Sequence, residues 1–128
     1  MEKIRVLYLD AKEGKELKER EVRCDTNEEF YDLIRCDAID AIKRMIGNKR
    51  YRIIVDDEGL LKSNPIVSAV YKGSGIVALV GNLIIAGEED RFGELTSLTD
   101  EDVKEIKKEV AILRCTHCGR KYYAIKVW

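Results

Sequence analysis

Near the end of the chain, Cys115-Thr-His-Cys118-Gly-Arg-Lys-Tyr sets two thiols at Cys-x-x-Cys spacing, followed by a glycine that permits a tight turn. Thiolates so placed can ligate one metal ion, zinc above all, but a closed structural site needs a full tetrahedral set and this is half of one. Cys24 and Cys36 complete the set if the fold brings them near; alternatively a second copy contributes another pair across a dimer axis. His117, between the two thiols, is poorly placed to ligate alongside both. A redox dithiol and a reduced, ligand-free knuckle are the other readings of the same residues.

Beside the knuckle, Tyr122, Tyr123 and Trp128 alternate with Arg120, Lys121 and Lys126, while Lys43, Arg44, Lys49, Arg50 and Arg52 crowd together around Tyr51. Aromatic faces that stack on bases, flanked by cations that meet phosphates, are the ingredients of single-strand recognition. The candidate binding residues are therefore Arg44, Lys49, Arg50, Arg52, Arg120, Lys121 and Tyr123. They are also ordinary strand residues, and an acidic stretch from Glu88 to Asp102 balances them. A net charge of −1 excludes both a basic nucleic-acid coat and a mimic of DNA built from massed carboxylates.

Catalytic readings are weaker. His117 is the single histidine, and none of Ser63, Ser68, Ser74 and Ser97 lies in a recognisable nucleophile elbow. Gly73-x-Gly75 precedes an apolar run with no lysine-serine or lysine-threonine pair behind it, so it matches neither a P-loop nor a dinucleotide fingerprint. Asp56, Asp57 and Glu58 before Gly59 suit a turn better than a cation site, because neighbouring side chains on an extended backbone point to opposite faces. A non-enzymatic protein is expected.

The elements that position these residues belong to one domain. A chain of 128 residues buries roughly two-thirds of its unfolded surface. Its 45% hydrophobic and 37% charged content is that of a globular protein with its charges outside a core. No run reaches the length of a membrane span, and MEKIRVLYLD lacks the apolar core of a signal peptide. The expected setting is the cytoplasm without a membrane partner, where thiols stay reduced.

In chain order, IRVLYLD alternates as a first strand, Lys12-Glu13-Gly14-Lys15 turns it, and ELKEREVRCD, with apolar Leu17 and Val22 among long charged side chains, reads as a partly exposed second strand whose register is poorly specified. Thr26 with Glu29 has the capping-box spacing for a helix starting at Asn27. Helical spacing from Phe30 to Ile46 allows one long helix as far as Gly47; a short helix ending near Arg35 or Cys36, then a hairpin turning at Gly47-Asn48-Lys49, competes with it. Asn64-Pro65 breaks the backbone ladder, and Ile66–Tyr71 reads as a short helix or an extended edge. Two apolar runs, Ile76–Val80 and Leu83–Ala86, read as core strands with a bulge at Gly81-Asn82. After a turn at Arg91–Glu94, Thr99 caps a helix whose apolar stripe is Val103, Ile106 and Val110, and YYAIKVW is a closing strand.

LIRCDAIDAI, IGNKRYRIIVDDEGLLKSNP, VGNLIIAG and SLTDEDV, in that order, resemble a family of domains of unknown function carried by bacteriophages, plasmids and conjugative elements, over roughly residues 1 to 110. In that family the segment matching Ala38–Ile46 is a strand paired with the one matching Tyr51–Asp56, which favours the short helix and hairpin. The resemblance implies an α+β fold: a small, mostly antiparallel sheet with about two covering helices, in a domain over 1–111. Residues 112–128 add a knuckle similar to half a zinc ribbon and a strand packed on the domain. Some family members sit near antirestriction genes, and the resemblance therefore implies a protein that binds a host or viral macromolecule to counter defence. A nucleic-acid-binding accessory with a zinc knuckle, and a dimeric sponge for a nucleotide signal, are the alternatives.

Overall fold

A computed structural model describes residues 3–11, 16–23, 28–35, 38–56, 66–114, 119 and 121–128. The strands are β1 (Lys3–Leu9), β2 (Lys18–Arg23), β3 (Ile39–Ile46), β4 (Lys49–Asp56), β5 (Val67–Tyr71), β6 (Val77–Val80), β7 (Leu83–Glu89), β8 (Leu95–Thr96), β9 (Val110–Arg114) and β10 (Lys121–Val127); the helices are α1 (Glu28–Ile34) and α2 (Asp100–Lys108). The α+β class and the largely antiparallel pairing are as expected. The expected single sheet, however, is two: a six-stranded one ordered β2-β1-β7-β4-β3 with β8 beside β7, and a four-stranded one ordered β6-β5-β10-β9.

The larger sheet is the middle layer. On β7 the run Leu83-Ile84-Ile85-Ala86 is continuous because both faces are covered. Leu83 and Ile85 join Ile53, Ala69, Ile106, Ile125 and Val127 in the core shared with the second sheet and α2. Ile84 and Ala86 join Val6, Tyr8, Phe30 and Ile34 in the core under α1. Leu17 and Val22, an odd number of positions apart, fall into different cores by the same alternation.

Local signals account for the element ends. Arg35, at φ 63°, adopts the left-handed conformation that stops α1, and its amide bonds Tyr31 O at 2.7 Å. The β3–β4 hairpin turns through Gly47, at φ 65°, and Asn48, a two-residue loop with glycine first. At α2 the capping box is complete: Asp102 N donates to Thr99 Oγ1 at 3.0 Å and Thr99 N to Asp102 Oδ2 at 2.9 Å. The expected Thr26 cap, the turn at Lys12–Lys15, the Asp57-Glu58-Gly59 cluster and Asn64-Pro65 lie outside the described residues.

Two expectations are corrected. Gly81-Asn82 is not a bulge between paired strands, since β6 and β7 belong to different sheets and these residues carry the chain from one to the other. Asn82 is buried there: its Oδ1 accepts from Ala11 N at 3.0 Å, and its Nδ2 donates to Tyr8 Oη and Leu33 O, each at 3.2 Å. Val67–Tyr71 is neither a helix nor an edge. It is an interior strand, because β10 pairs with it in parallel and contributes Ile125 and Val127 to the core.

Candidate functional site

The hairpin register decides the fate of the basic run. Arg44 stands opposite Tyr51, Lys43 opposite Arg52, Met45 opposite Arg50, and Ile46 opposite Lys49. Alternation then puts Arg44 and Lys49 on the face toward α2 and the second sheet, and Arg50 and Arg52 on the face toward α1. What looks in sequence like one patch is split by the sheet.

Most of these side chains are engaged within the fold. Lys49 Nζ and Tyr51 Oη both donate to Asp102 Oδ1 at 2.9 Å, and the ammonium lies 5.7 Å from the centre of the Tyr51 ring. Burial pushes Asp102 up, but bonds from the Thr99 amide, Lys49, Tyr51 and the Thr99 hydroxyl overcome it and hold the carboxyl at about 2. Burial and the Asp102 bond together raise Tyr51 well above the usual phenol range. Tyr51, 1% exposed, has no face for a base. Arg52 pairs with Glu89 at 3.1 Å, while Arg50 is exposed with no ion pair among the described residues.

Arginines also close the β3 edge. Trp128 N donates to Met45 O at 3.0 Å, so Met45 faces off the sheet, and with it the alternate residues Lys43 and Ala41. The Lys43 carbonyl accepts from Arg44 Nη1 at 2.7 Å and that of Ala41 from Arg52 Nη1 at 3.2 Å. Three successive outward carbonyls are thus capped from within the chain. The β2 edge is guarded differently, by exposed Lys18, Glu19, Arg20 and Glu21.

Among the described residues the β9 edge has neither protection. Lys126 N donates to Glu109 O directly opposite at 2.8 Å, which makes 111/124 and 113/122 the hydrogen-bonded pairs and turns the amides and carbonyls of Val110, Ile112 and Arg114 outward. Next to this edge is a groove of about 290 Å³ lined by Leu17, Val110, Ile112 and Tyr123, with Glu16 and Lys107 at its rim. Ile112 is 63% exposed. A smaller cavity of about 120 Å³ beside Tyr8, Asp10 and Arg35 is crossed by an Arg35–Asp10 pair at 3.5 Å and is polar.

Of the residues singled out in sequence, Tyr123 and Lys121 lie on the groove face of β10, by alternation with Ile125 and Val127. Cys24, Cys36, Cys115, Cys118 and Arg120 lie outside the described residues, and among the described residues no group of three metal-ligating side chains occurs. Arg114 and Lys121 are directly paired, and the Cys-x-x-Cys lies between them in sequence. Leu17, Lys107, Val110 and Ile112 were not legible as a site, because VAIL directly continues the helical stripe of α2 and only Glu109, at φ −98° and ψ 18°, ends that helix.

Residues 4–111 match the domain of unknown function DUF3846. The chain belongs to the DUF3846 family. Comparison with curated proteins and with solved structures gives no significant match. The DUF3846 match stops within β9, yet β10, beyond it, pairs with both β5 and β9 and completes the second sheet. No helix among the described residues is long and apolar enough to cross a membrane.

Proposed function

We propose that this DUF3846 chain is a non-enzymatic binding protein that captures an extended segment of a partner protein by strand addition at β9. The observation that carries this reading is the outward backbone of Val110 and Ile112 beside the apolar groove. Strand addition draws affinity from main-chain hydrogen bonds and specificity from alternate side chains seated in pockets, and β9 offers both. Among the edges, β2 is charged, β3 is capped, and β6 is only four residues long with shifts in its register.

A host or viral protein is the partner class this reading names. The resemblance to domains of phages and plasmids suggests blunting of a defence system as the setting. Single-strand binding is less favoured, since Tyr51 is buried and Lys49 and Arg52 are held in ion pairs.

The test is selection of a displayed random-peptide library on the immobilised full chain, followed by amide exchange with the selected peptide bound. Slowed exchange at Val110, Ile112 and Arg114 is the expected result. Proline is tolerated on an edge strand where the N–H faces solvent, so Ile112→Pro should keep the fold and lose the peptide. Protection confined to another edge, or undiminished binding by Ile112→Pro, would overturn the reading.

A further inference from the structure

The groove face carries three cations, Lys107, Arg114 and Lys121, that form no ion pair among the described residues, although Glu16 also lines the groove. Alternation puts Val110, Ile112 and Arg114 of β9 on that face, opposite Ile125, Tyr123 and Lys121 of β10. Arg114 thus faces Lys121 directly, a like-charge cross-strand pair that costs stability unless an anion lies between. Neither side chain has an acidic partner among the described residues, and Lys107 on the groove rim has none either. Some cations elsewhere are paired, Lys49 with Asp102, Arg52 with Glu89 and Lys72 with Glu109, and others such as Arg50 have no ion pair among the described residues; what sets Arg114 and Lys121 apart is that they face each other beside an apolar groove.

We infer that the segment added at β9 alternates apolar and acidic residues, seating apolar side chains against Val110 and Ile112 and a carboxylate between Arg114 and Lys121. This rests on the strand-addition reading above and names the chemistry of its ligand. In an extended segment every second side chain faces the groove, so the pattern is apolar-x-apolar-x-acidic, in the order set by strand direction. The β9 strand of a second copy does not supply it. Antiparallel pairing of β9 with itself about Ile112 sets Arg114 beside Val110 of the copy and brings no carboxylate to the cations.

The experiment is fluorescence anisotropy with two labelled synthetic peptides, valine-threonine-valine-threonine-glutamate repeats and the same repeats with lysine for glutamate. The full chain, the Arg114→Glu/Lys121→Glu double variant and Lys107→Glu are compared, each checked by thermal unfolding. The glutamate peptide should bind the parent at least about tenfold more tightly than the lysine peptide, less so at high salt, and the double variant should reverse the preference. Lys107→Glu should narrow it in the same direction without touching the hairpin. Equal binding of both peptides, with protection of Val110 and Ile112 in amide exchange, would overturn the acidic pattern and leave strand addition standing. No binding of either peptide, with none from the library, would overturn both. Displacement of the glutamate peptide by a single-stranded oligonucleotide at lower concentration would overturn the inference in favour of phosphate.

Discussion

Tyr51 Oη donates a 2.9 Å hydrogen bond to Asp102 Oδ1, joining the middle of β4 to the first turn of α2 across the core. The same carboxylate accepts from Lys49 and from the Thr99 amide, so one N3 side chain is both helix cap and tertiary anchor. This explains why a tyrosine within a basic run is buried. Its hydroxyl needs a partner in the core and α2 brings one.

The anchor gives stability a pH dependence at both ends. Asp102 is lowered to about 2 in the fold, against about 3.9 for an unfolded aspartate, so its contribution, about 2 kcal/mol, is present above pH ~4 and lost as pH falls toward 2. Tyr51 is raised, so its contribution is whole below the ordinary phenol value near 10 and declines as pH rises past it. Chemical denaturation from pH 2 to 11 should show both limbs. Asp102→Asn should flatten the acid limb and Tyr51→Phe the alkaline one, and unchanged limbs would remove the anchor from the account.

Asn82 should be among the most sensitive polar positions. Asn82→Ala leaves Ala11 N without its acceptor and takes one donor from each of Tyr8 Oη and Leu33 O, at the point where the chain changes sheets. A loss of about 3 kcal/mol is expected in urea denaturation. A loss below about 1 kcal/mol would mean that water replaces these bonds.

Gly87 lies against β8: a Cβ there would overlap Thr96 Oγ1 and come within 2.9 Å of Thr96 O. Gly87→Ala should destabilise by about 1–3 kcal/mol. Thermal unfolding compared with Gly93→Ala, where the added Cβ meets nothing within 4 Å but φ is 78°, separates crowding from backbone strain.

Removing the caps of β3 should make that edge adhesive. Arg44→Ala with Arg52→Ala frees the carbonyls of Lys43 and Ala41, and unpaired edge groups are templates for pairing with another chain. Sedimentation velocity over a concentration series should show more self-association than the parent. An unchanged distribution would mean that Trp128 at Met45 suffices to guard the strand.

Native mass spectrometry of protein purified without chelator tests the zinc reading of Cys115 and Cys118. One ion per chain assigns Cys24 and Cys36 as the further ligands of Cys115 and Cys118; one per two chains assigns a site shared across a dimer. A bare monomer would rule out both the zinc and the dimeric-sponge readings of the sequence and leave the strand-addition proposal unaffected.

Much of the element list was legible because its causes are local. The Thr99 cap, the Gly47-Asn48 turn, the alternating IRVLYLD and the doubly buried LIIA run each declare themselves within a few residues, through hydrogen bonds and φ preferences that neighbouring side chains set. Where strands went was decided only by the tertiary structure. Val77–Val80 and Leu83–Glu89 are near neighbours in sequence yet enter separate sheets, and β10 lies parallel to the distant β5. Pairing over such distances is chosen by which faces must be buried together, and no local window carries that. The binding face followed the same division. Residue types marked Arg44, Lys49 and Arg52 as a patch, but packing engaged them in capping an edge and anchoring a helix, and left exposed the apolar edge of Val110 and Ile112, with Arg114 and Lys121 beside it, on which the proposed function rests.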